Sequence, residues 1–166
     1  MKQWMRGGFL FYVASILLVL EYMLLWFLDN PAGIEELRYA GWLIFAVGIV
    51  LIFLPMFVLR SKGKVKKEKD WTETTVFVDT GIYSVVRHPL YLGWLLMYLA
   101  IILWNRHWLT IIVGVSGMIC IYLISKQEDQ RLVEKFGDDY KRYMLSVPRM
   151  NLLVGVIRLL RRRKRE

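Results

Sequence analysis

Two long apolar runs near the start of the chain constrain its fold more than any other feature. The first run, Phe9 to Leu28, has 20 residues, and Glu21 is its only ionisable residue. The second run, Tyr39 to Leu59, has 21 residues and carries no charge. At about 1.5 Å per residue, a helix of either length crosses a hydrocarbon core of about 30 Å. Both runs are therefore predicted to be transmembrane helices.

Two shorter apolar runs follow. Leu90 to Trp104 has 15 residues and Trp108 to Ile124 has 17. As helices they would reach roughly 22 and 26 Å, so we expect a tight hairpin that spans a bilayer only with flanking residues or local thinning. An apolar content of 57% is also too high for a soluble domain of 166 residues. The sequence therefore predicts an all-α, polytopic membrane bundle of four transmembrane helices, forming a single domain over 1–166.

The distribution of basic residues predicts the orientation of this bundle. The connection from Arg60 to Arg87 carries seven basic residues and the tail after Ile124 carries twelve, whereas the connection from Asp29 to Arg38 has one. Loops rich in Lys and Arg remain on the cytoplasmic side. We therefore expect a multi-pass protein whose two termini and long middle connection are cytoplasmic.

The net charge of +9 is concentrated beside the apolar runs and in a basic tail over 158–166. Such a juxtamembrane cluster is typical of binding to anionic lipid headgroups, and nucleic acid is disfavoured as a partner. The apolar stretch from Asn151 to Leu160 is too short to span, so it is predicted to lie in the membrane interface. A single cysteine, Cys120, excludes a disulfide within the chain. His88 and His107 fall at opposite ends of the third predicted helix, so no metal site is predicted.

The segment after the fourth run is predicted to be amphipathic and helical. Its apolar residues recur at spacings of three and four: Leu132, Phe136, Tyr140, Tyr143 and Val147. Gly137 followed by Asp138 could divide the segment into two helices, with Gly as the C-cap and Asp as the next N-cap. In either form it is expected to lie against the cytosolic surface.

A short polar segment directly before the third run reads Gly81-Ile-Tyr83-Ser-Val-Val-Arg87-His88-Pro89-Leu-Tyr91. Uncommitted polar groups beside membrane-type sequence are costly, so this segment indicates a ligand-binding site. A second block begins at Glu128-Asp129 and continues as Phe136-Gly137-x-x-Tyr140-x-x-Tyr143-x-x-x-Val147-Pro148-Arg149. Together the blocks resemble the isoprenylcysteine carboxyl methyltransferase and phospholipid methyltransferase superfamily, over a core of 75–149.

This resemblance implies transfer of a methyl group from S-adenosylmethionine to a lipophilic acceptor, either isoprenylcysteine-like or a phospholipid or isoprenoid lipid. It implies a cofactor site at the cytosolic end of the hairpin, lined by Thr75, Val76, Phe77, Val78, Tyr83, His88, Pro89, Leu90, Tyr91 and Glu128. Glu128, His88 and Arg149 are the implied catalytic residues. Pro at the first turn of a helix leaves neighbouring N–H groups free to bind a carboxylate, which fits the methionine end of the cofactor.

One position departs from the resemblance. The isoprenylcysteine enzymes are expected to have an Arg one helical turn before the residue matching Glu128, and here that residue is Ile124. An isoprenylcysteine carboxylate is thereby disfavoured as acceptor, and an amine, a thiol or a neutral lipid is favoured.

Other interpretations stay open. Arg87 and His88 could face lipid headgroups, Tyr83 and Tyr91 could be interfacial anchors, and Glu21 is a functional candidate as an intramembrane acid. Sterol-reductase relatives share the Arg-His-Pro-x-Tyr block but use NADPH. A non-catalytic membrane interaction protein is the third alternative.

Overall fold

Helices account for nearly all of the regular structure in the computed structural model, which describes residues 2–28, 35–63 and 77–164. The helices are α1 (Lys2–Phe27), α2 (Glu35–Lys62), a 3-10 turn (Gly81–Ser84), α3 (Pro89–Asn105), α4 (Trp108–Phe136), α5 (Asp138–Ser146) and α6 (Leu152–Arg163). No strand occurs within these ranges, so the all-α prediction is confirmed for them. Thr75 and Val76, predicted for the cofactor site, lie outside the described residues.

Within the part of the chain that the structure describes, three helices are long and apolar enough to cross a membrane: Gly8–Phe27, Glu35–Lys62 and Trp108–Phe136. The other strongly apolar helix, α3, has 17 residues. It begins at Pro89, whose fixed φ suits the first turn of a helix. The four-span hairpin arrangement remains a prediction.

Helix α4 runs past the end of its apolar stretch, because the polar residues after Ile124 are mostly good helix formers. It ends at Phe136, where Gly137 adopts a φ of 62° that side-chain-bearing residues rarely adopt. The division of the segment at Gly137 is therefore confirmed. Gly137 itself, rather than Asp138, is the N-cap of α5.

The chain forms two compact units. Unit 1 comprises Met1–Val50 and Gly93–Gln127, and unit 2 comprises Leu51–Leu92 and Glu128–Glu166. In unit 1, side-chain hydrogen bonds join α1 to α3: the Tyr98 hydroxyl donates to the carbonyl of Ala14, and Asn105 Nδ2 donates to the carbonyl of Leu24 at 3.0 Å. Glu21 is fully buried in this unit, and neither of its carboxyl oxygens has a hydrogen-bond partner within the described ranges.

One hydrophobic cluster of unit 2 is built around α5. Its buried members are Tyr140, Tyr143 and Val147, and Phe77 and Phe136 pack against them. The Phe77 ring lies 5.0 Å from the Tyr143 ring and 5.8 Å from the Tyr140 ring, both edge-on, the arrangement favoured by aromatic quadrupoles. The apolar periodicity read from the sequence is thus the face that α5 and the end of α4 bury.

Candidate active site

One cavity in unit 2 brings the two sequence blocks together. All eight described members of the predicted cofactor set line it: Phe77, Val78, Tyr83, His88, Pro89, Leu90, Tyr91 and Glu128. The remaining lining residues are Leu59, Arg87, Leu132, Phe136, Tyr140 and Tyr143. The cavity thus has aromatic and aliphatic walls with a few charged groups, which is the usual composition of a small-molecule site. The assignment of these residues to cofactor contacts remains a prediction.

Main-chain hydrogen bonds join the blocks. The N–H groups of Arg87 and His88 donate to the carbonyls of Pro148 and Arg149, each at 3.0 Å. A third link comes from the Tyr143 hydroxyl, which donates to the carbonyl of Tyr83 at 2.5 Å. The polar segment before α3 is therefore held by the segment after α5, although about 60 residues separate them in the sequence.

A buried carboxylate, Asp129, links the side chains of both blocks. Its Oδ1 accepts hydrogen bonds from Arg87 at 2.9 Å, from His88 Nε2 at 2.7 Å and from the Tyr140 hydroxyl at 2.7 Å. Its Oδ2 accepts from Arg149 Nε at 2.7 Å. Asp129 is only 2% exposed, so these donors replace the water that an ionised carboxylate requires. We call these five residues the Asp129 network.

The network fixes the tautomer of His88. An ionised carboxylate can only accept, so the ring nitrogen facing Asp129, Nε2, carries a proton. In the neutral imidazole the other nitrogen, Nδ1, is then the one able to accept a proton.

Arg87 differs from the other donors in this network. Its side chain lines the cavity and is 7% exposed, and its Nε is buried with no hydrogen-bond partner within the described ranges. A buried donor without an acceptor costs free energy, and most such groups in native proteins have a partner. Arg87 Nε is therefore a group suited to an anionic or carbonyl-bearing ligand.

Glu128 also lines this cavity, and it is the first residue of the part of α4 that belongs to unit 2. Both of its carboxyl oxygens accept from Arg131, at 2.6 Å and 2.9 Å, so the carboxylate is held in one orientation by a residue three positions along the helix. Its side chain is 23% exposed, less than the 41% of Arg131. The carboxylate is thus partly accessible for a further contact.

Two tyrosines that line the cavity, Tyr83 and Tyr140, have raised pKa values. Burial, with the nearby charge of Glu128 as a smaller cause, raises the pKa of Tyr83 well above its ordinary value. Burial and then the charge of Asp129 do the same to the pKa of Tyr140. Both hydroxyls stay protonated at neutral pH, so neither is suited to act as a general base.

Three outcomes bear on the residues predicted from sequence. His88 and Glu128 line the cavity, whereas Arg149 is absent from its lining and is bound to Asp129. Asp129 and Arg87 were not predicted as site residues, although both adjoin residues that were. The sequence signal for Asp129 was its place in the acidic pair Glu128-Asp129. Adjacent residues on a helix point about 100° apart, and the sequence alone does not say which of the two faces inward.

Comparison with known proteins identifies the family. The sequence profile of the phospholipid methyltransferase family matches residues 37–139, which includes the polar segment before α3 and the acidic pair in α4. The chain belongs to this family. The resemblance drawn from the two motif blocks is thereby confirmed.

The curated proteins that are similar to this chain are named as methyltransferases. A methanethiol S-methyltransferase from Crocosphaera subtropica is 30% identical over 142 residues, covering 79% of this chain and 52% of the relative. The Mycobacterium tuberculosis protein of the same name is 28% identical, covering 81% and 59%. The human protein-S-isoprenylcysteine O-methyltransferase is 27% identical, covering 69% and 41%. The chain therefore spans about half the length of these relatives. No solved structure matches it significantly.

Proposed function

We propose that this protein is a membrane methyltransferase that transfers a methyl group from S-adenosylmethionine to a lipophilic acceptor. The observation that carries the proposal is the meeting of both family motif blocks in one cavity. One of its lining residues, Arg87, has a buried Nε without an acceptor among the described residues. Membership of the phospholipid methyltransferase family supports the reaction class.

The residues of the cavity fit the chemistry of this cofactor. The first-turn N–H groups of α3 and Arg87 Nε would bind the carboxylate of its methionine end, since helix N-termini and guanidinium groups both favour anions. Glu128 would bind the ammonium or the ribose hydroxyls. Phe77 and Phe136, which form the aromatic walls, would contact the adenine ring of the cofactor.

When bound, the cofactor supplies an electrophilic methyl group on a sulfonium, so the protein's contribution is alignment and exclusion of water. An amine or thiol acceptor must also lose a proton. His88 Nδ1 is the proposed acceptor of that proton, because Asp129 holds Nε2 in its protonated form and orients the ring.

For the acceptor we propose an apolar molecule without a carboxylate. Ile124, which is buried and apolar, occupies the position where a carboxylate-pairing Arg is expected. The relatives named for methanethiol make a thiol a reasonable acceptor to try first. A panel of a farnesylcysteine analogue, an alkanethiol and phosphatidylethanolamine should give least turnover with the farnesylcysteine analogue. Efficient formation of its base-labile methyl ester would refute this assignment.

The cofactor is tested by calorimetric titration of the purified protein with S-adenosylhomocysteine and, separately, with NADPH. We expect binding of the former, weakened by about 1.5–3 kcal/mol in Glu128→Gln, the usual value of a hydrogen bond to a charged group. Glu134→Gln, an exposed acid on the same helix, is the matched control and should bind normally. Binding of NADPH alone would favour a reductase, and binding of neither would favour a non-catalytic protein.

We further propose that the cavity faces the cytosol. The support is the excess of basic residues in the connection before α3 and after α4. Single cysteines replacing Asp138 and Trp108, both exposed, in a Cys120→Ala background should react from the cytosolic and the opposite side respectively. Labelling of position 138 from outside would reverse the proposed orientation.

A further inference from the structure

Helix α6 exposes one apolar face. Leu153, Val156, Ile157 and Leu160 follow each other at spacings of three, one and three, which places them on one side of the helix. Their exposed fractions are 79%, 44%, 51% and 54%. At 12 residues the helix is too short to span a bilayer, so this face has a different role from the lipid-facing surface of a spanning helix. An exposed apolar stripe of this kind marks an interaction surface.

The opposite side of α6 is fixed within unit 2. Gly155 is buried, and a β-carbon at that position would collide with the carbonyl of Val85, so the helix backbone rests directly on the segment that leads to Arg87. Arg158 and Arg162 donate to the carbonyls of Leu145 and Ser146, at 3.3 Å and 3.0 Å. These carbonyls end α5, where cationic side chains are favourable. The apolar face is therefore held pointing outward.

The charge of the helix indicates what covers this face. Residues 161–165 are all basic, and among them Arg161 and Lys164 are exposed. An apolar stripe followed by a basic end matches the acyl boundary and the phosphates of an anionic lipid surface. A water-soluble protein partner would need a surface that is both apolar and acidic. A lipid surface offers both, and the long apolar helices of the chain already place it beside one.

We propose that α6 is a docking helix for anionic lipid. Leu153, Ile157 and Leu160 enter the acyl boundary while Arg161 and Lys164 contact lipid phosphates. Because α6 begins three positions after Arg149 and rests on Val85, its docking also holds the two main-chain hydrogen bonds to Arg87 and His88. Anionic lipid thereby stabilises the polar segment of the cavity. The inference concerns lipid contact and local stability, so it stands independently of the proposed reaction.

The docking is tested with a nitroxide on a cysteine at position 153, in a Cys120→Ala background, in nanodiscs of phosphatidylcholine alone or mixed with the anionic lipid phosphatidylglycerol. In the anionic discs the label should be accessible to oxygen, which dissolves in the acyl region, and should lose most of its accessibility to a water-soluble nickel reagent. A label at Asp139, on the exposed surface of α5, is the matched control and should stay accessible to nickel in both discs.

The charge requirement is tested with Arg161→Gln/Lys164→Gln, which leaves Arg158 and Arg162 on α5. In this variant, the accessibility of the label at position 153 to nickel should be the same in both lipid compositions. A label at 153 that reports water in both discs would overturn the proposal. Close label–label distances between two copies, with protection independent of phosphatidylglycerol, would assign the face to a second copy instead and equally overturn it.

The link to the cavity is tested by hydrogen exchange at the Arg87 and His88 amides in the same discs. Exchange should be slower with phosphatidylglycerol in the wild type and independent of it in the double variant. Equal exchange in both discs, with the label at 153 buried, would refute the link.

Discussion

Among the described residues, each unit has one buried acidic side chain, and the two acids are accommodated in opposite ways. Asp129 in unit 2 accepts hydrogen bonds from Arg87, His88, Tyr140 and Arg149. Glu21 in unit 1 lies against Gly114, and its oxygens have no partner within the described ranges. A buried charge is retained at low cost only when donors replace its hydration. Asp129 therefore holds the residues of the site together, whereas a contribution to stability does not explain why an acid stands at position 21.

The largest effect is expected from Asp129→Asn. Loss of the carboxylate leaves Arg87 and Arg149 without their buried counter-charge, so the free energy of unfolding should fall by about 3–5 kcal/mol. Denaturant titration in detergent, followed by tryptophan fluorescence, measures it. Asp139→Asn is the matched control: its ion pair with Arg142 is exposed, and its loss should cost less than about 1 kcal/mol. Equal effects of the two variants would show that the Asp129 network does not stabilise unit 2.

A smaller loss is expected from Tyr140→Phe. This variant removes one of the donors to Asp129 and leaves the ring packed against Phe77, so the cost should be about 1.5–3 kcal/mol, as for a hydrogen bond to a charged group. Tyr39→Phe, on an exposed residue, should be nearly neutral. In an Asp129→Asn background the effect of Tyr140→Phe should shrink, and additive effects would mean that the two groups do not interact.

In unit 1 the corresponding probe is Gly114→Ala. A β-carbon there would come within 2.8 Å of Ile102 and would also displace the Glu21 carboxyl, so overpacking should cost about 1–3 kcal/mol. Gly8→Ala, where a β-carbon meets nothing within 4 Å, should be neutral or slightly stabilising. Combining Gly114→Ala with Glu21→Ala should recover part of the loss. No recovery would mean that Ile102 alone limits the space.

The smallest effect on stability is expected from Glu21→Leu. The Glu21 carboxyl is buried and has no partner among the described residues, so replacing it by an apolar side chain of similar size removes a desolvation cost. The free energy of unfolding should therefore stay within about 1 kcal/mol or rise. The same measurement with Asp129→Leu should give a large loss. Methyl-transfer assays on the folded Glu21→Leu protein complete the comparison, because lost activity with retained stability would assign Glu21 a functional role.

The features predicted correctly from sequence are those that depend on local pattern. The runs from Phe9 and Tyr39 are helices of spanning length, and the break at Gly137 occurs where a positive φ is required. Arg149 was harder to interpret. Its motif is recognisable, but only the fold shows that its guanidinium binds Asp129 outside the lining of the cavity.

The sequence by itself determined the membrane class, the helices and the family, because hydropathy, periodicity and spaced motifs are properties of the chain that need no partner. Only the tertiary structure decided which neighbour of a pair is buried. Glu128 and Asp129 are adjacent acids, yet one lines the cavity beside Arg131 and the other lies in the core among donors from three other segments. Those donors come from positions 11 to 42 residues away. The physical reason is that the cost of burying a charge depends on donors brought from elsewhere in the chain, and those are assembled only by folding.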